Sequence, residues 1–267
     1  MAVRLVVGAV GATAIAAAAY RVNSLSRGGA VMATLVGAVA FGAGWGWAAL
    51  LVAFFVVSSA LSRIGATERE LRTAALVQKG GARDAVQVAA NGGLFALAAA
   101  GYMLWPHDSW LAVGAGALAA AASDSWATEL GTLARRPPRL LVGWRPVPAG
   151  TSGAVSGPGM AAALAGALFI GTVAWLAGWP LLTAASAIVG GVGGSLADSL
   201  LGATIQGRRR CDACGTMTER IVHDCGQQTL PAGGLSWVDN DMVNGAATLV
   251  GAFLTLALAL SIQLFLD

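Results

Sequence analysis

Residues 157–206 read GPGMAAALAGALFIGTVAWLAGWPLLTAASAIVGGVGGSLADSLLGATIQ. A membrane-spanning helix needs about 20 mainly apolar residues. This stretch holds two such lengths, parted at Gly178-Trp179-Pro180, and its first charge is Asp198. Two helices crossing a bilayer and joined by a tight turn satisfy the pattern. A water-soluble fold does not, because it would leave both helices without a polar face.

The rest of the chain agrees. Residues 146–197 carry no charge, and neither do residues 242–266. Of 267 residues, 57% are hydrophobic and 11% charged, with mean hydropathy +0.71. Soluble proteins carry roughly 25% charged residues. The expected fold is all-α, a polytopic integral membrane protein with residues 1–267 forming one membrane domain. Eight spans are expected at about 3–20, 29–43, 47–62, 85–105, 109–134, 157–178, 181–206 and 242–265. The first is read as a span and not as a signal peptide. The run Gly42-Ala43-Gly44-Trp45-Gly46 is expected to break the second span from the third.

Charge placement sets the expected orientation. The positive charge is almost all arginine, with Lys79 the single lysine. Basic residues crowd four connections, at 21–27, 63–83, 135–145 and 208–220. The alternate connections carry none. Positive residues stay on the cytoplasmic side. Eight spans put all four basic connections inside, in what is expected to be a prokaryotic cell membrane. Trp105, Trp110, Trp175 and Trp179 flank the outer turns, where interfacial aromatics belong. A net charge of +3 argues no nucleic-acid partner. Gly190-Gly191-Val192-Gly193-Gly194-Ser195 lacks the lysine and spacing of a phosphate loop, so helix packing is the expected role.

Ionisable residues inside a membrane are costly and mark function. Asp124 and Asp198 each lie about 15 Å from the cytoplasmic end of a span. Their contexts match, Ser123-Asp124-Ser125 against Ala197-Asp198-Ser199, so parallel helices are expected to present paired carboxylates. Asp84, Gln87 and Asn91 form one helical stripe. Asp124 and Thr128 share a face, and Ser125 and Glu129 the next. Ser195, Ser199 and Gln206 follow another stripe, and Asp241, Asn244 and Thr248 open the last span behind Asp239 and Asn240. Carboxylates, amides and hydroxyls with few cations suit Mg²⁺, which binds through one or two carboxylates plus substrate phosphates. The loop holding Thr151, Ser152 and Gly153 offers backbone N–H groups for an anion.

All three cysteines fall in the connection 207–240, as Cys211-x-x-Cys214 and His223-x-Cys225. Three thiolates and an imidazole make a tetrahedral zinc set, and four protein ligands leave no open position for catalysis. Structural Zn²⁺ in a cytoplasmic loop is the expectation.

Several stretches resemble one family, the domain-of-unknown-function ninety-two family. It includes transmembrane protein nineteen and the plant and cyanobacterial phytyl-phosphate kinases. The matching stretches are Gly65-Ala66, RDAVQVAANGG (83–93), DSWATELG (124–131), VPAGTSGAVS (147–156), DSLLGATIQ (198–206) and WVDNDMVN (237–244). The Cys/His loop is similar to one in many members. The resemblance implies a transferase, a membrane prenyl-phosphate kinase. Such an enzyme would convert an isoprenyl monophosphate, phytyl or geranylgeranyl, to the diphosphate with a nucleoside triphosphate, CTP favoured. On that reading Asp124, Asp198 and Asp241 hold Mg²⁺, with Glu129 and Asp239 as further acids. Arg83 and Thr151 to Gly153 receive phosphate. Gln87, Asn91, Ser199, Gln206, Asn240 and Asn244 orient phosphates or metal-bound water. A CTP-dependent lipid cytidylyltransferase and a membrane transporter are the alternatives.

Overall fold

The computed structural model describes residues 2–77 and 80–266. Lys79 lies outside the described residues. Every expected span has a helix. These are α1 (Ala2–Arg21), α2 (Arg27–Ala43), α3 (Trp45–Leu61), α5 (Ala85–Leu104), α6 (Asp108–Gly131), α7 (Gly157–Leu176), α8 (Leu181–Thr204) and α9 (Asn240–Leu266). The sequence reading had no place for a further helix, α4 (Ala66–Thr73), in the basic connection between α3 and α5. It is short, amphipathic and held by the pair Glu68–Arg72 at i, i+4. Short antiparallel strands β1 (Arg139–Leu140) and β2 (Ala154–Val155) tie the α6–α7 connection. Strands β3 (Arg208–Cys211), β4 (Thr216–Thr218) and β5 (Leu230–Gly233) form a small sheet in the Cys/His loop, in the order β4-β3-β5.

The chain is thus an all-α polytopic membrane protein with a small β-containing loop. The expected count of eight spans is not reached on length and composition. Among the described residues, α1, α5, α7, α8 and α9 are long and apolar enough to cross a bilayer, and α3 with α4 makes a sixth only as one pair bent by 75°. α2 has 17 residues. α6 has 24, but it is rich in alanine and carries Asp108, Asp124 and Glu129. The reason is its position. α6 packs against α5, α7, α8 and α9, and residues 114–123 are all buried. A helix surrounded by helices does not need lipid-soluble side chains.

Small residues set this packing. A Cβ added at Gly116 of α6 would meet the Gly251 oxygen of α9 at 2.5 Å, and one at Gly190 of α8 would meet the same oxygen at 2.5 Å. Three helices therefore cross at van der Waals contact, as small residues allow in lipid. The glycine-rich run of α8 is a packing surface, as expected. Gly44, at φ +140°, ends α2 and starts α3, which is the expected break. Trp105 and Trp175 are exposed beside the α5–α6 and α7–α8 turns, and Trp110 is half-buried. Trp179 is not one of them. It is 7% exposed and stacks edge-on against Trp47 at 4.8 Å, in an aromatic cluster with Phe95 and Tyr102.

Candidate functional site

α6 and α8 run parallel because α7 returns the chain between them, so the two matched Asp-Ser steps arrive at one level. Asp124 and Asp198 meet there, carboxyl against carboxyl. Asp198 Oδ2 is fully enclosed and has no hydrogen-bond partner. Two like charges in contact, one oxygen unsatisfied, are unstable without a proton or a cation between them. Each acid lies within two turns of the C-terminal end of its helix, and a basic connection follows each helix.

A third acid joins them from outside the helices. Glu219, directly after β4, lies close enough to Asp198 for its charge to act on it. Its Oε1 accepts a hydrogen bond from Gln206 Nε2 at 2.9 Å and a second from Ser152 Oγ. Its own N–H donates to the Leu76 oxygen at 2.8 Å, which docks the Cys/His loop onto the connection between α4 and α5. Gln206 is buried, at 2% exposure. Ser152 is brought in by the loop before β2, which rests on the end of α8. A Cβ at Gly202 would meet the Gly153 nitrogen at 2.7 Å, and Gly153 itself has φ +76°. Glu219 escaped the sequence reading. It sits between cysteines and looks like loop polarity, and only the fold of the loop turns it toward Asp198.

Other expected site residues have local duties. Glu129 pairs with Arg69 Nη1 at 2.9 Å, and the charge of Arg83 also acts on it. Burial draws the Arg83 guanidinium below its ordinary pKa, and Glu129 pulls it back up. Gln87 closes a capping box with Asp84, each accepting the other's backbone N–H at 2.9 Å. Asn91 Nδ2 donates to the Gln87 oxygen at 3.1 Å. Asp239 is exposed and accepts from the Met242 N–H at 2.9 Å, which makes it a helix cap for α9. Thr151 Oγ1 donates to the Pro148 oxygen at 2.8 Å and so closes its own turn. Asp241 is buried in the first turn of α9, Asn244 is half-buried one turn on, and Asn240 is exposed. Ser199 follows Asp198 on α8 and is half-buried.

Beside Glu219 lies a partly polar hollow of about 190 Å³ between the three-stranded sheet and the α8–α9 junction. Gln206, Arg208, Arg209, Trp237 and Asp239 line it. Arg208 Nε points to no hydrogen-bond partner.

The Cys/His loop gathers its four ligands as expected. The candidate ligand atoms of Cys211, Cys214, His223 and Cys225 all lie within 4.8 Å of one another. The Cys211 and Cys225 sulfurs are 3.6 Å apart, and a tetrahedral set with Zn–S of about 2.3 Å has S···S edges of about 3.8 Å. His223 Nδ1 lies 3.3 Å from the Cys225 sulfur. Its Nε2 lies 3.3 Å from Thr216 Oγ1, an outer partner that fixes the ring. The backbone N–H of Gln227 and then His223 push the Cys225 thiol down to about 6. The neighbouring Cys225 sulfur pushes the Cys214 thiol up to about 11. A metal ion lowers such thiols further and holds the set together. The cluster can hold a metal ion, and its donors fit zinc.

Comparison with known proteins agrees with this architecture. The chain is 31% identical to Protein PGR of Arabidopsis thaliana, over 94% of this chain and 95% of that protein. It is 28% identical to Uncharacterized membrane protein sll0875 of Synechocystis sp., over 83% of this chain and 77% of the other. With Uncharacterized membrane protein MJ0933 of Methanocaldococcus jannaschii it shares 31% identity over 61% of this chain and 66% of the other. No solved structure matches. The family described as Integral membrane protein DUF92 matches residues 10–252, from the first helix into the last and across both the carboxylate pair and the Cys/His loop, and the chain belongs to it.

Proposed function

We propose that this protein is a membrane phosphotransferase that phosphorylates an isoprenyl monophosphate, phytyl or geranylgeranyl, to the diphosphate. The donor is a nucleoside triphosphate, with CTP favoured. The observation that carries the reading is the contact between Asp124 and Asp198, with Glu219 beside them and Asp198 Oδ2 unsatisfied. Clustered carboxylates of this kind fit a hard divalent cation, and Mg²⁺ is the one that pairs acids with phosphates. Asp124, Asp198 and Glu219 would hold it, and Asp241, expected from the sequence as a further ligand, stands in the first turn of α9. When bound, Mg²⁺ neutralises charge on the transferring phosphoryl group.

The chain's own groups have the remaining work. The acceptor is already a phosphate, so its oxygen needs little base catalysis, and the protein's task is positioning. Gln206 and Ser152 orient the Glu219 carboxylate through two hydrogen bonds. Arg208 and Arg209 line the polar hollow and suit a donor's phosphates, with exposed Trp237 available to a base. Arg83 suits the acceptor phosphate. All eight long helices lie in the bilayer under this reading, with the basic connections and the Cys/His loop on the cytoplasmic side.

The test is product identity. Purified protein with Mg²⁺ is given geranylgeranyl or phytyl monophosphate and each of CTP, ATP, UTP and GTP. A prenyl diphosphate by mass supports the kinase and names its donor. A CDP-linked lipid replaces it with a cytidylyltransferase. No turnover by folded protein with any pair rejects both and returns transport to first place.

A further inference from the structure

A second cavity lies away from the carboxylates, among α1, α2, α3 and α5. Its interior leaves about 80 Å³ for the centre of a water-sized sphere, and it opens outward at a mouth. Its walls are apolar except along α5, where Arg83 stands at one end and Gln87 and Asn91 continue a polar stripe about 12 Å inward. α3 and α5 meet through Trp47 and Phe95, with ring centroids 5.1 Å apart, toward the outer side. Below that contact the cavity separates them, lined by Leu51 and Phe55 from α3 and by Val88 and Asn91 from α5. Leu25 stands at the polar end beside Arg83, and the two are joined by a backbone bridge. Phe41, near the end of α2, stands at the other. Between Leu25 and Phe41 the wall is made by Ala33, Val36 and Gly37 of α2, and from Ala33 to Phe41 is eight residues, or about 12 Å.

An elongated, mainly apolar space with a half-buried arginine at one end is complementary to one kind of occupant, a single hydrocarbon chain carrying an anionic head. The head end is linked through Glu129 to the helix that carries Asp124. Arg83 acts on Glu129, and Glu129 lies five residues beyond Asp124 on α6, about 7.5 Å along the helix. We propose that this cavity holds the isoprenyl chain of the acceptor, with its phosphate at Arg83, and that Phe41 closes the far end and sets the longest chain accepted. The proposal rests on the phosphotransferase reading for the identity of the head group. Ala33, half-buried on the wall of α2, lies about 9 Å from Arg27 and marks the middle of the cavity.

The test measures binding without nucleotide, so it does not depend on turnover. Geranyl, farnesyl and geranylgeranyl monophosphates are titrated into protein in detergent. Ala33→Trp fills the middle and is expected to weaken geranylgeranyl phosphate by about tenfold or more while leaving geranyl phosphate nearly unchanged. Phe41→Ala opens the end and is expected to favour the longest chain over the wild type's preference. Arg83→Gln is expected to weaken all three phosphates alike. Unchanged chain-length preference in both cavity variants, with melting temperatures like the wild type's, overturns the proposal. Chain-selective binding without turnover keeps this site and sinks the kinase. Turnover whose chain preference ignores Ala33→Trp and Phe41→Ala keeps the kinase and sinks this site.

Discussion

Asp198→Asn should make the protein more stable and much less active at once. In the wild type, Asp198 presses its carboxyl against that of Asp124 and leaves Oδ2 buried without a hydrogen bond. An asparagine of nearly the same shape removes one of the two like charges. Its amide can also donate to the Asp124 carboxylate. Leaving a buried acceptor unsatisfied costs about 1–3 kcal/mol, so the substitution should return about that much. For a chain of this size that is a rise of about 2–12 °C in melting temperature without divalent cation. If the protein is the proposed phosphotransferase, product formation should fall about a hundredfold or more, because one of the carboxylates proposed to hold the metal is gone. Added Mg²⁺ should stabilise the wild type, by about 2.7 kcal/mol at a hundredfold excess over its dissociation constant, and should barely move the variant. The assay is thermal unfolding by tryptophan fluorescence in detergent, with and without Mg²⁺, beside product formation. A variant that melts lower than the wild type and keeps full activity would refute the reasoning. The pair would then be a structural hydrogen bond between one protonated and one ionised acid.

Other outcomes follow from the same geometry. Glu219→Gln keeps the shape that Gln206 and Ser152 hold, so the fold should survive while the Mg²⁺ concentration for half-maximal activity rises; a titration of activity against Mg²⁺ reads this. Cys211→Ser removes the buried cysteine of the Cys/His set and should abolish bound zinc, measured by elemental analysis, and make residues 207–240 readily cleaved by protease. Acid should release the same metal, because thiolate and imidazole ligands must lose their protons to bind. Gly116→Val forces a side chain onto Gly251 and Thr255 and should cost about 1–3 kcal/mol or more, seen as a lower melting temperature or loss of a monodisperse protein.

The sequence announced the fold where one physical constraint dominates. Lipid demands long uncharged helices, and α7, α8 and α9 fall within a few residues of the expected spans. It misled where burial comes from other helices and not from lipid. α6 could be placed by its turns, but its alanines and acids belong to a helix with no lipid-facing side to fill. Trp179 shows the same limit, since its place in the chain is that of an interfacial anchor and its ring is in the core. In the site, the Asp-Ser match between α6 and α8 was readable because parallel helices of similar length preserve register. The Cys/His set was readable because a tetrahedral metal set restricts the spacing of its ligands, and these four gather as that spacing requires. Glu219 was not, since its place beside Asp198 depends on how a loop folds back onto the α4–α5 connection, which no local pattern encodes. Nor was the ion pair of Arg69 with Glu129, because α4 is too short to announce itself by periodicity.

The most direct test of the account is whether Asp124 and Asp198 hold a divalent cation. Mn²⁺, which shares oxygen ligands with Mg²⁺ and gives a paramagnetic signal, can be titrated into the purified protein with a non-hydrolysable nucleoside triphosphate analogue and followed by electron paramagnetic resonance. The account predicts saturable Mn²⁺ binding that disappears in the double variant Asp124→Asn with Asp198→Asn, while zinc in the Cys/His loop is retained. Mn²⁺ binding of equal strength in that folded double variant would contradict it.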